Sequence, residues 1–499
     1  MINRAFSEFS NFLFSTSTSI KLVLFIFICL VTNILASLVP LRLDMSRQSA
    51  YSLSTPTKKI LSKVNKPIMI TVYVSSDIPS RTLPLKRDVI DFLKEYKNTS
   101  GGKIGLSFKD PTKDNKAKTE AVKAGVPQIQ FSEVDKDQYK VSSSFFGLTL
   151  SDGENTAVVP QVVTVSTLEY DVTSAIYKMT RVTPQKIALV DFPQAYDPRE
   201  DMFTTLKRSL GKQFEIENIK LATDSLSLDP KKTRAALFIA DGFLPSTKKV
   251  HKQLANYIEN GGTLVVFADG VAVSDGLEVG PATHDLFDFF KKYGIVLNKN
   301  LALSFSAQSA TFATGLGAFV VKYPLWVATS EFSKQTSDFI NITQLMFPWA
   351  SSVSIIPSTI AKTLVKSPSN SWVQTKNFIV IPNGIPAPQK NKLSSYSLIA
   401  ESSVNTGRLL VIPSARFVRE QYLAQAQGNV EFVVNVLNRY VSGGALSGIR
   451  ARATLTNPLK PLNNEQKDRV RFRILGILPA IFLLLGGFRL FKRYKYQNK

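Results

Sequence analysis

Runs of apolar residues divide the chain into two hydrophobic ends and a long middle region with helix and strand periodicities. The first end, residues 20–39, reads IKLVLFIFICLVTNILASLV and carries no charge between Lys21 and Arg42. Its length matches the roughly 20 residues that a helix needs to cross a bilayer. A cleaved signal peptide is the alternative, but the apolar run is long for one and no convincing small-residue cleavage site follows it. We therefore predict a retained transmembrane helix.

The second hydrophobic end lies between Arg473 and Arg489 and reads ILGILPAIFLLLGGF. It is short for a spanning helix, but flanking arginines extend its usable length because their side chains reach the bilayer surface. A buried soluble helix is the alternative, yet the segment has no polar face and a basic tail follows it, as at a cytoplasmic stop. We predict a second span over residues 474–491, with residues 1–19 and 492–499 in the cytoplasm.

Two spans place the large middle region on one side of the membrane, and we expect that side to be extracytoplasmic. Charge alone does not decide the side, because basic residues flank both apolar segments and long loops cross membranes largely regardless of charge. The expected location is therefore the inner or plasma membrane, and the lipid bilayer is an expected partner.

The first part of the middle region, residues 40–182, shows strand and helix patterns in the order β-α-β-α-β-β-α, which is the order of a thioredoxin-like domain. It begins with SLSTPTKKIL, in which Ser54 or Thr55 can cap a helix and Pro56 suits the first turn. The one cysteine of the chain, Cys29, lies in the first apolar end. The domain therefore has no thiol, which excludes redox activity.

Pro127, in AGVPQIQF, occupies the position where the thioredoxin fold keeps a cis-proline before a strand. One interpretation is a peptide-binding edge inherited from that fold. The simpler interpretation, which we favour, is a proline that begins an edge strand, where its missing N–H group costs no ladder hydrogen bond.

The second part, residues 183–445, has the pattern of a doubly wound α/β domain of the flavodoxin-like or amidotransferase-like kind. Three continuous apolar runs, QKIALVDF, AALFIADGF and GTLVVFADG, suit central strands of a parallel sheet that is covered on both faces. Helical patterns lie between these runs, and NVEFVVNVLNRYV is typical of a closing amphipathic helix. Residues 296–400 are expected to form irregular β structure or an insertion, and residues 446–473 a linker to the second span.

An aspartate ends each of the three apolar runs, namely Asp191, Asp241 and Asp269. Ligand crevices of open α/β sheets lie at the carboxyl ends of the strands. The three carboxylates could therefore line a crevice for a cationic ligand or a metal ion. The alternative is that aspartate favours the turns that end strands. We favour this alternative over a metal site, and we predict no metal and no cofactor.

The formal net charge is +23 over 499 residues. The Lys and Arg residues are scattered, and no helix-turn-helix, zinc-finger or RNA-binding signature is present, so we predict no nucleic-acid partner. The sequence contains two histidines and no GxSxG, HExxH or Walker P-loop motif. These absences argue against an ATPase, a hydrolase or an amidotransferase, and we expect a protein that is not an enzyme.

Four segments occur in the order in which one protein family has them. They are SAYSLSTPTKKILSKVNKPIMITVYVS (49–75), TLEYDVTSAIYKMTR (167–181), LANYIENGGTLVVFADG (254–270) and GNVEFVVNVLNRYVSGGALSGIRAR (428–452). In these segments the chain resembles the gliding-motility-type ABC transporter auxiliary proteins. The resemblance covers nearly the whole chain, with the weakest agreement over residues 296–400. The order of the segments is more specific than any one of them.

The resemblance implies a non-catalytic, membrane-anchored auxiliary subunit of an ABC-type transport system, with the permease and the ATPase on separate chains. The family's α/β domain is similar to one in intraflagellar-transport and oligosaccharyltransferase subunits. Two alternatives stay open. A polymer- or glycan-binding membrane scaffold would fit glycosylation of the sequons at Asn98 and Asn341. A hydrolase of an unrecognised kind would require activity that is lost when the three aspartates are changed.

Overall fold

The computed structural model describes the chain in segments separated by gaps. The described residues are 23, 25–32, 52–135, 138–162, 164–181, 185–190, 201–220, 228–244, 248–314, 317–340, 342–357, 359–446, 449, 467–473, 475–476, 479 and 483–487. The chain divides into two compact units, Met1–Ala453 and Thr454–Lys499. The larger unit is a mixed α/β structure rich in strands, which confirms the α/β class predicted from the sequence.

Within these ranges, no helix combines the length and the apolar character that crossing a bilayer requires. The two predicted spans, residues 20–39 and 474–491, lie partly outside the described residues and stay predictions.

The first half of the larger unit is built on a five-stranded sheet in the order β2-β1-β4-β3, with β5 also paired to β4. β1 and β2 are parallel, whereas β4 runs antiparallel to β1, β3 and β5. The elements are α1 (Thr55–Ser62), β1 (Ile68–Val74), α2 (Leu83–Thr99), β2 (Ile104–Lys109), α3 (Asn115–Lys123), β3 (Gln128–Asp135), β4 (Gln138–Ser151), β5 (Thr156–Val159) and α4 (Val165–Met179).

The two faces of this first sheet carry different helices because side chains alternate along β1. Ile68, Ile70 and Val72 belong to a core that they share with α1, α2 and α4. Tyr73 points to the other face and packs with α3 around Ala121. The helix predicted at SLSTPTKKIL is confirmed, since α1 begins at Thr55 with the Ser54 side chain as its N-cap.

The second half of the larger unit contains a ten-stranded sheet whose main path is β12-β18-β21-β22-β9-β8-β6-β7. The strands β22, β9, β8, β6 and β7 are mutually parallel. The first elements of this half are β6 (Lys186–Val190), α5 (Thr204–Gly211), β7 (Glu215–Ile219), β8 (Thr233–Ala240), α6 (Lys248–Glu259), β9 (Thr263–Ala268), β10 (Val271–Val273), β11 (Val279–Pro281), α7 (Leu286–Lys292) and β12 (Ile295–Leu297).

The rest of this half adds several short antiparallel strands and returns to the parallel strands at β22. The elements are β13 (Leu301–Ser304), β14 (Ala307–Thr314), β15 (Gly317–Thr329), β16 (Glu331–Phe332), β17 (Leu345–Pro348), β18 (Val353–Ile355), β19 (Lys362–Lys366), β20 (Ser371–Gln374), β21 (Ser397–Val404), β22 (Gly407–Ile412), α8 (Glu420–Leu423) and α9 (Gln427–Ser442).

Helices cover both faces of the parallel strands, which is why the strands read as continuous apolar runs. Leu189 of β6 and Leu237 of β8 share a core with α5 and α9 on one face. Their neighbours Val190 and Phe238 share a second core with α6 and α7 on the opposite face. The region expected to be irregular contains two further small sheets, β14-β15-β17 and β13-β20.

Candidate functional site

The parallel sheet brings two of the three predicted site residues together. Asp241 follows β8 directly and Asp269 follows β9 directly, and these two strands are paired in parallel, with Ala240 opposite Ala268. The N–H group of Gly242 donates to a carboxylate oxygen of Asp269 over 3.1 Å, which links the two strand ends. Asp191, the third predicted residue, lies outside the described residues.

Asp269 is the buried centre of this cluster, with 2% of its surface exposed. Besides the Gly242 bond, its carboxylate accepts the N–H group of Ala415 over 2.7 Å. A guanidinium nitrogen of Arg416 lies 3.7 Å from the same carboxylate. The backbone carbonyl of Asp269 is 2.7 Å from Nε2 of the buried His284. The carboxylate therefore holds the loop after β22 against the end of β9.

Two buried arginines complete the site, and the reading of the sequence missed both. Arg416 and Arg419 lie in the segment after β22 and are 3% and 7% exposed. Arg419 donates to the Asp241 carboxylate over 2.9 Å. Arg416 donates to the carbonyl of Val273 and lies 3.4 Å from the carboxylate of Asp275, which is exposed. The sequence does contain a signal for these two residues. The arginines in SARFVRE directly follow the apolar run GRLLVIP, just as the aspartates directly follow the other apolar runs of the sheet.

Burial controls the protonation of the two innermost groups. Burial raises the pKa of Asp269 to about 6, with Arg416 acting in the opposite direction because its positive charge favours the carboxylate. Burial also lowers the pKa of His284, because the cation is poorly solvated there. Burial thus favours the neutral imidazole of His284. The net charge of the cluster is therefore set by its two arginines and by the carboxylates of Asp241, Asp269 and Asp275.

The arrangement engages the carboxylates with arginine and backbone N–H groups. Metal binding would require the same oxygens to exchange these partners for a cation. In the part of the chain that the structure describes, no group of three or more His, Cys, Asp or Glu side chains is arranged to hold a metal ion. The geometry instead resembles a cross-strand ion-pair cluster, which fixes the loops at the carboxyl end of the sheet.

Pro127 lies apart from this cluster. It directly precedes β3, which is at one end of the strand order in the first sheet and pairs with β4 alone within the described residues. Its side chain is exposed, and no described peptide bond is cis. This position agrees with the favoured interpretation of a proline at the start of an edge strand. A peptide contact at Pro127 stays a prediction.

Comparison with known families gives two matches, one in each half of the larger unit. Residues 184–436 match a family described as an ABC-type uncharacterized transport system. Residues 47–151 match a family described as a domain of unknown function. The transport-system match covers both aspartates, both arginines and the whole parallel sheet, and it extends over half of the chain.

Among individual relatives, an uncharacterized protein of Borreliella burgdorferi is 23% identical over 481 residues, which are 91% of this chain and 94% of that protein. Among solved structures, the mmIFT52 N-terminal domain is 13% identical and covers 52% of this chain and 98% of its own, with a TM-score of 0.36. A putative ThuA-like protein from Parabacteroides merdae is 11% identical over 53% of this chain and 90% of its own, with a TM-score of 0.28.

Proposed function

The chain belongs to the family described as an ABC-type uncharacterized transport system, and we propose that it acts in such a system as a non-catalytic, membrane-anchored auxiliary subunit. The observation that carries this proposal is the family match over residues 184–436. The chain has no Walker P-loop of its own, so the ATPase and the permease would be separate chains. Its role would be that of a scaffold or of a component that binds cargo or a partner.

A non-catalytic role is supported by the chemistry at the carboxyl edge of the parallel sheet, where a ligand crevice would lie. Asp241 is paired with Arg419, and Asp269 is engaged by two backbone N–H groups and by Arg416. A general base or a nucleophile needs a free lone pair within reach of a substrate. Carboxylates held in this way are better suited to positioning loops than to catalysis.

We further propose that the first half is thioredoxin-like without redox activity. The parallel pair β2-β1 and the antiparallel strands β4 and β5 lie in one sheet with helices on both faces, which supports this assignment. We also propose that the chain is of the gliding-motility type within its family, with an α/β domain related to those of intraflagellar-transport and oligosaccharyltransferase subunits. The four quoted sequence segments support this finer placement.

The membrane anchor is proposed from the two apolar ends, residues 20–39 and 474–491, with the larger unit outside the cytoplasm. Carbonate washing of membranes tests it. Replacing Leu484 with arginine places a charge in the second apolar segment, which costs about 2.5–3.5 kcal/mol for insertion of a helix centre. Leu30→Arg places the same charge in the first apolar segment. Because either segment alone can anchor the chain, the double variant Leu30→Arg/Leu484→Arg should be lost from the washed membrane pellet. Phe472→Arg, which places the same charge just before the segment, is the matched control and should be retained like the wild type.

The transport role is tested by purifying the tagged full-length chain from its native membrane in a mild detergent. We expect mass spectrometry to identify an ABC permease and an ABC ATPase in stoichiometric amounts, and we expect both to be reduced with the double variant Leu30→Arg/Leu484→Arg but not with Phe472→Arg. Repeated recovery of the chain without either subunit, while it remains folded and membrane-bound, would count against the proposal.

A further inference from the structure

A cleft of about 1350 Å³ separates the edge of the first sheet from the turn between α5 and β7 in the larger unit. The strand β5 and the residues that follow it line one wall, from Thr156 to Gln161. Polar and apolar residues of α4 form the floor, and Arg208, Gly211 and Lys212 lie on the opposite wall. The cleft is distinct from the aspartate–arginine cluster, because none of the residues of that cluster lines it.

The strand β5 presents an open edge to this cleft. Among the described residues, β5 pairs with β4 alone. The N–H group of Asp152 donates to the carbonyl of Asn155 at the turn that joins the two strands. Hydrogen-bonded pairs alternate along an antiparallel ladder, so Ala157 and Val159 bond to β4, whereas Thr156 and Val158 direct their N–H and C=O groups away from it. These groups can accept a further strand.

The lining of the cleft has a net positive charge, because its six cations outnumber its four carboxylates, which belong to Asp152, Glu154, Asp171 and Glu215. Lys66 pairs with Glu154, and Lys212 pairs with Asp171. Four other cations line the cleft, and in the described part of the chain none has a carboxylate within ion-pair distance: Lys63, Lys178, Arg181 and Arg208. Lys63 and Arg208 are exposed, so their ammonium and guanidinium groups are available to a ligand. Lys178 is also exposed, and its amine donates to the carbonyl of Gly211 over 3.3 Å.

Arg181 is held in a fixed position at the end of α4. Its guanidinium lies 3.7 Å above the centre of the Tyr177 ring, and one nitrogen donates to the Ser442 hydroxyl over 3.1 Å. The other terminal nitrogen is buried without a hydrogen-bond partner in the described structure. A buried cationic donor with no acceptor is costly, and an acceptor brought by a ligand would remove that cost.

We infer that this cleft binds an extended peptide segment with acidic side chains, which adds to the first sheet as a strand beside β5. Four residues of β5 span about 14 Å at roughly 3.4 Å per residue, so the contact suits a short segment. Main-chain bonds to Thr156 and Val158 supply affinity in this mode of recognition, and alternate side chains supply specificity. An anionic polymer without peptide groups would meet the charges but would leave the strand edge unpaired.

The inference does not depend on the transport role, since a segment of any partner protein could supply this chemistry. The test uses the full-length chain in detergent and a fluorescein-labelled synthetic peptide, Thr-Glu-Val-Glu-Val-Glu-Thr, with fluorescence anisotropy as the readout. We expect saturable binding that weakens with salt, and no binding of the peptide in which lysine replaces each glutamate.

Two further peptides, methylated on alternate backbone nitrogens in the two registers, separate strand addition from simple charge attraction. One of the two must lose binding, because it cannot donate to β5.

Substitutions in the chain test the same contact from the other side. Arg208→Glu should weaken binding of the acidic peptide about tenfold, whereas Arg87→Glu, an exposed arginine outside the cleft, should leave it unchanged. Val158→Pro removes an outward N–H group and should abolish binding, whereas Val158→Ala retains that group and should bind like the wild type. Equal binding of both methylated peptides, or wild-type affinity in Arg208→Glu, would overturn the inference. Equal competition by polygalacturonate would assign the cleft to anionic polymers instead.

Discussion

Glu169 joins two distant sequence segments of the family resemblance through a buried polar network. Its carboxylate accepts the N–H group of Ser54 over 2.7 Å and the hydroxyl of Thr57 over the same distance. The hydroxyl of Tyr96 donates to the backbone carbonyl of Glu169 and lies 2.7 Å from the hydroxyl of Thr173. The SLST block at the start of the domain and the LEYDVT block near its end are therefore parts of one structure.

Removing the Thr57 hydroxyl should destabilise the first half of the larger unit. Thr57→Val keeps the shape of the side chain but takes one donor from a carboxylate that is 1% exposed, so we expect the free energy of unfolding to fall by about 1–3 kcal/mol. Thr119→Val on α3 is the matched control, because its hydroxyl is exposed. Urea denaturation of the two variants measures the difference. A loss of equal size in both would contradict the role of the Glu169 network.

The titration of Asp269 should be visible as a pH dependence of stability. Burial raises the pKa of Asp269 in the folded state to about 6, above the ordinary value of 3.8. The folded state therefore binds more protons than the unfolded state between these values, and the contribution of this group to the free energy of unfolding falls as the pH rises from about 4 to 6. The slope is at most about 1.4 kcal/mol per pH unit.

Asp269→Asn removes this titration, so the stability of the wild type relative to the variant should rise as the pH is lowered from 7 to 4. Asp275→Asn is the matched control, since Asp275 also contacts Arg416 but is 67% exposed at its side chain. Urea unfolding at several pH values measures both. An unchanged difference between wild type and Asp269→Asn over this range would show that the group does not titrate there.

Local contacts at the residue scale were predictable from the sequence, and distant contacts were not. Ser54 caps a helix that starts next to it, so its role follows from the order SLSTP. Its second partner, Glu169, lies 115 positions away, and no spacing rule connects them. Arg416 and Arg419 were missed for the same reason, because only the parallel pairing of β22, β9 and β8 brings them to Asp269 and Asp241.

At the scale of the element, the close packing of α6 on β22 depends on one glycine, Gly407. A side-chain carbon at Gly407 would lie 1.9 Å from the carbonyl oxygen of Ile258 and 2.7 Å from that of Gly262. Both neighbours are backbone atoms, which cannot move without shifting the helix end. The close approach of helix and strand therefore requires glycine at this position.

Gly407→Ala should destabilise the second half of the larger unit by about 1–3 kcal/mol or more, because it overpacks a rigid contact. Gly280→Ala in β11 is the matched control, since a side-chain carbon there meets nothing within 4 Å. Thermal or urea unfolding of the two variants measures the effect. Near-wild-type stability of Gly407→Ala would mean that the end of α6 moves easily away from β22.

The strands that the sequence predicted best are those buried on both faces. The three apolar runs became β6, β8 and β9, because a strand covered by helices on each side needs apolar residues at every position. The antiparallel strands of residues 301–374 were predicted only as irregular β structure. Their pairing joins distant residues, such as Leu301 with Gln374, and short half-exposed strands carry no pattern that specifies such a register.

At the scale of the whole molecule, hydrogen bonds and apolar contacts link the two halves of the larger unit. The amine of Lys212 donates to Asp171 over 2.5 Å, and the Gln185 amide donates to the carbonyl of Val441 over 2.9 Å. Leu446 and Ile449, which follow α9, are buried in the core of the first half. The chain thus returns to its first half within the predicted linker of residues 446–473, whose first residues are part of the packed core. These contacts fix the walls of the cleft beside β5.

The membrane arrangement of the whole chain is testable because Cys29 is its only cysteine. In a Cys29→Ser background, single cysteines replace Lys116 on α3, Lys376 after β20, or Lys499 in the predicted tail. Lys116 and Lys376 are exposed, so a maleimide on the same side of the membrane reaches either position. If residues 20–39 and 474–491 both cross the membrane, a membrane-impermeant maleimide should label Lys116→Cys and Lys376→Cys in intact spheroplasts.

Lys499→Cys should react only after the spheroplasts are permeabilised, since two spans return the C-terminal tail to the cytoplasm. The two positions in the larger unit serve as controls for each other, because they lie in different halves of one compact unit and should respond together. If the maleimide labels only Lys499→Cys in intact spheroplasts, the topology is the opposite one, with the larger unit in the cytoplasm. Equal labelling of all three positions from outside would mean that the chain does not cross the membrane twice. At most one of the two apolar segments would then serve as the membrane anchor that the proposed transport role requires.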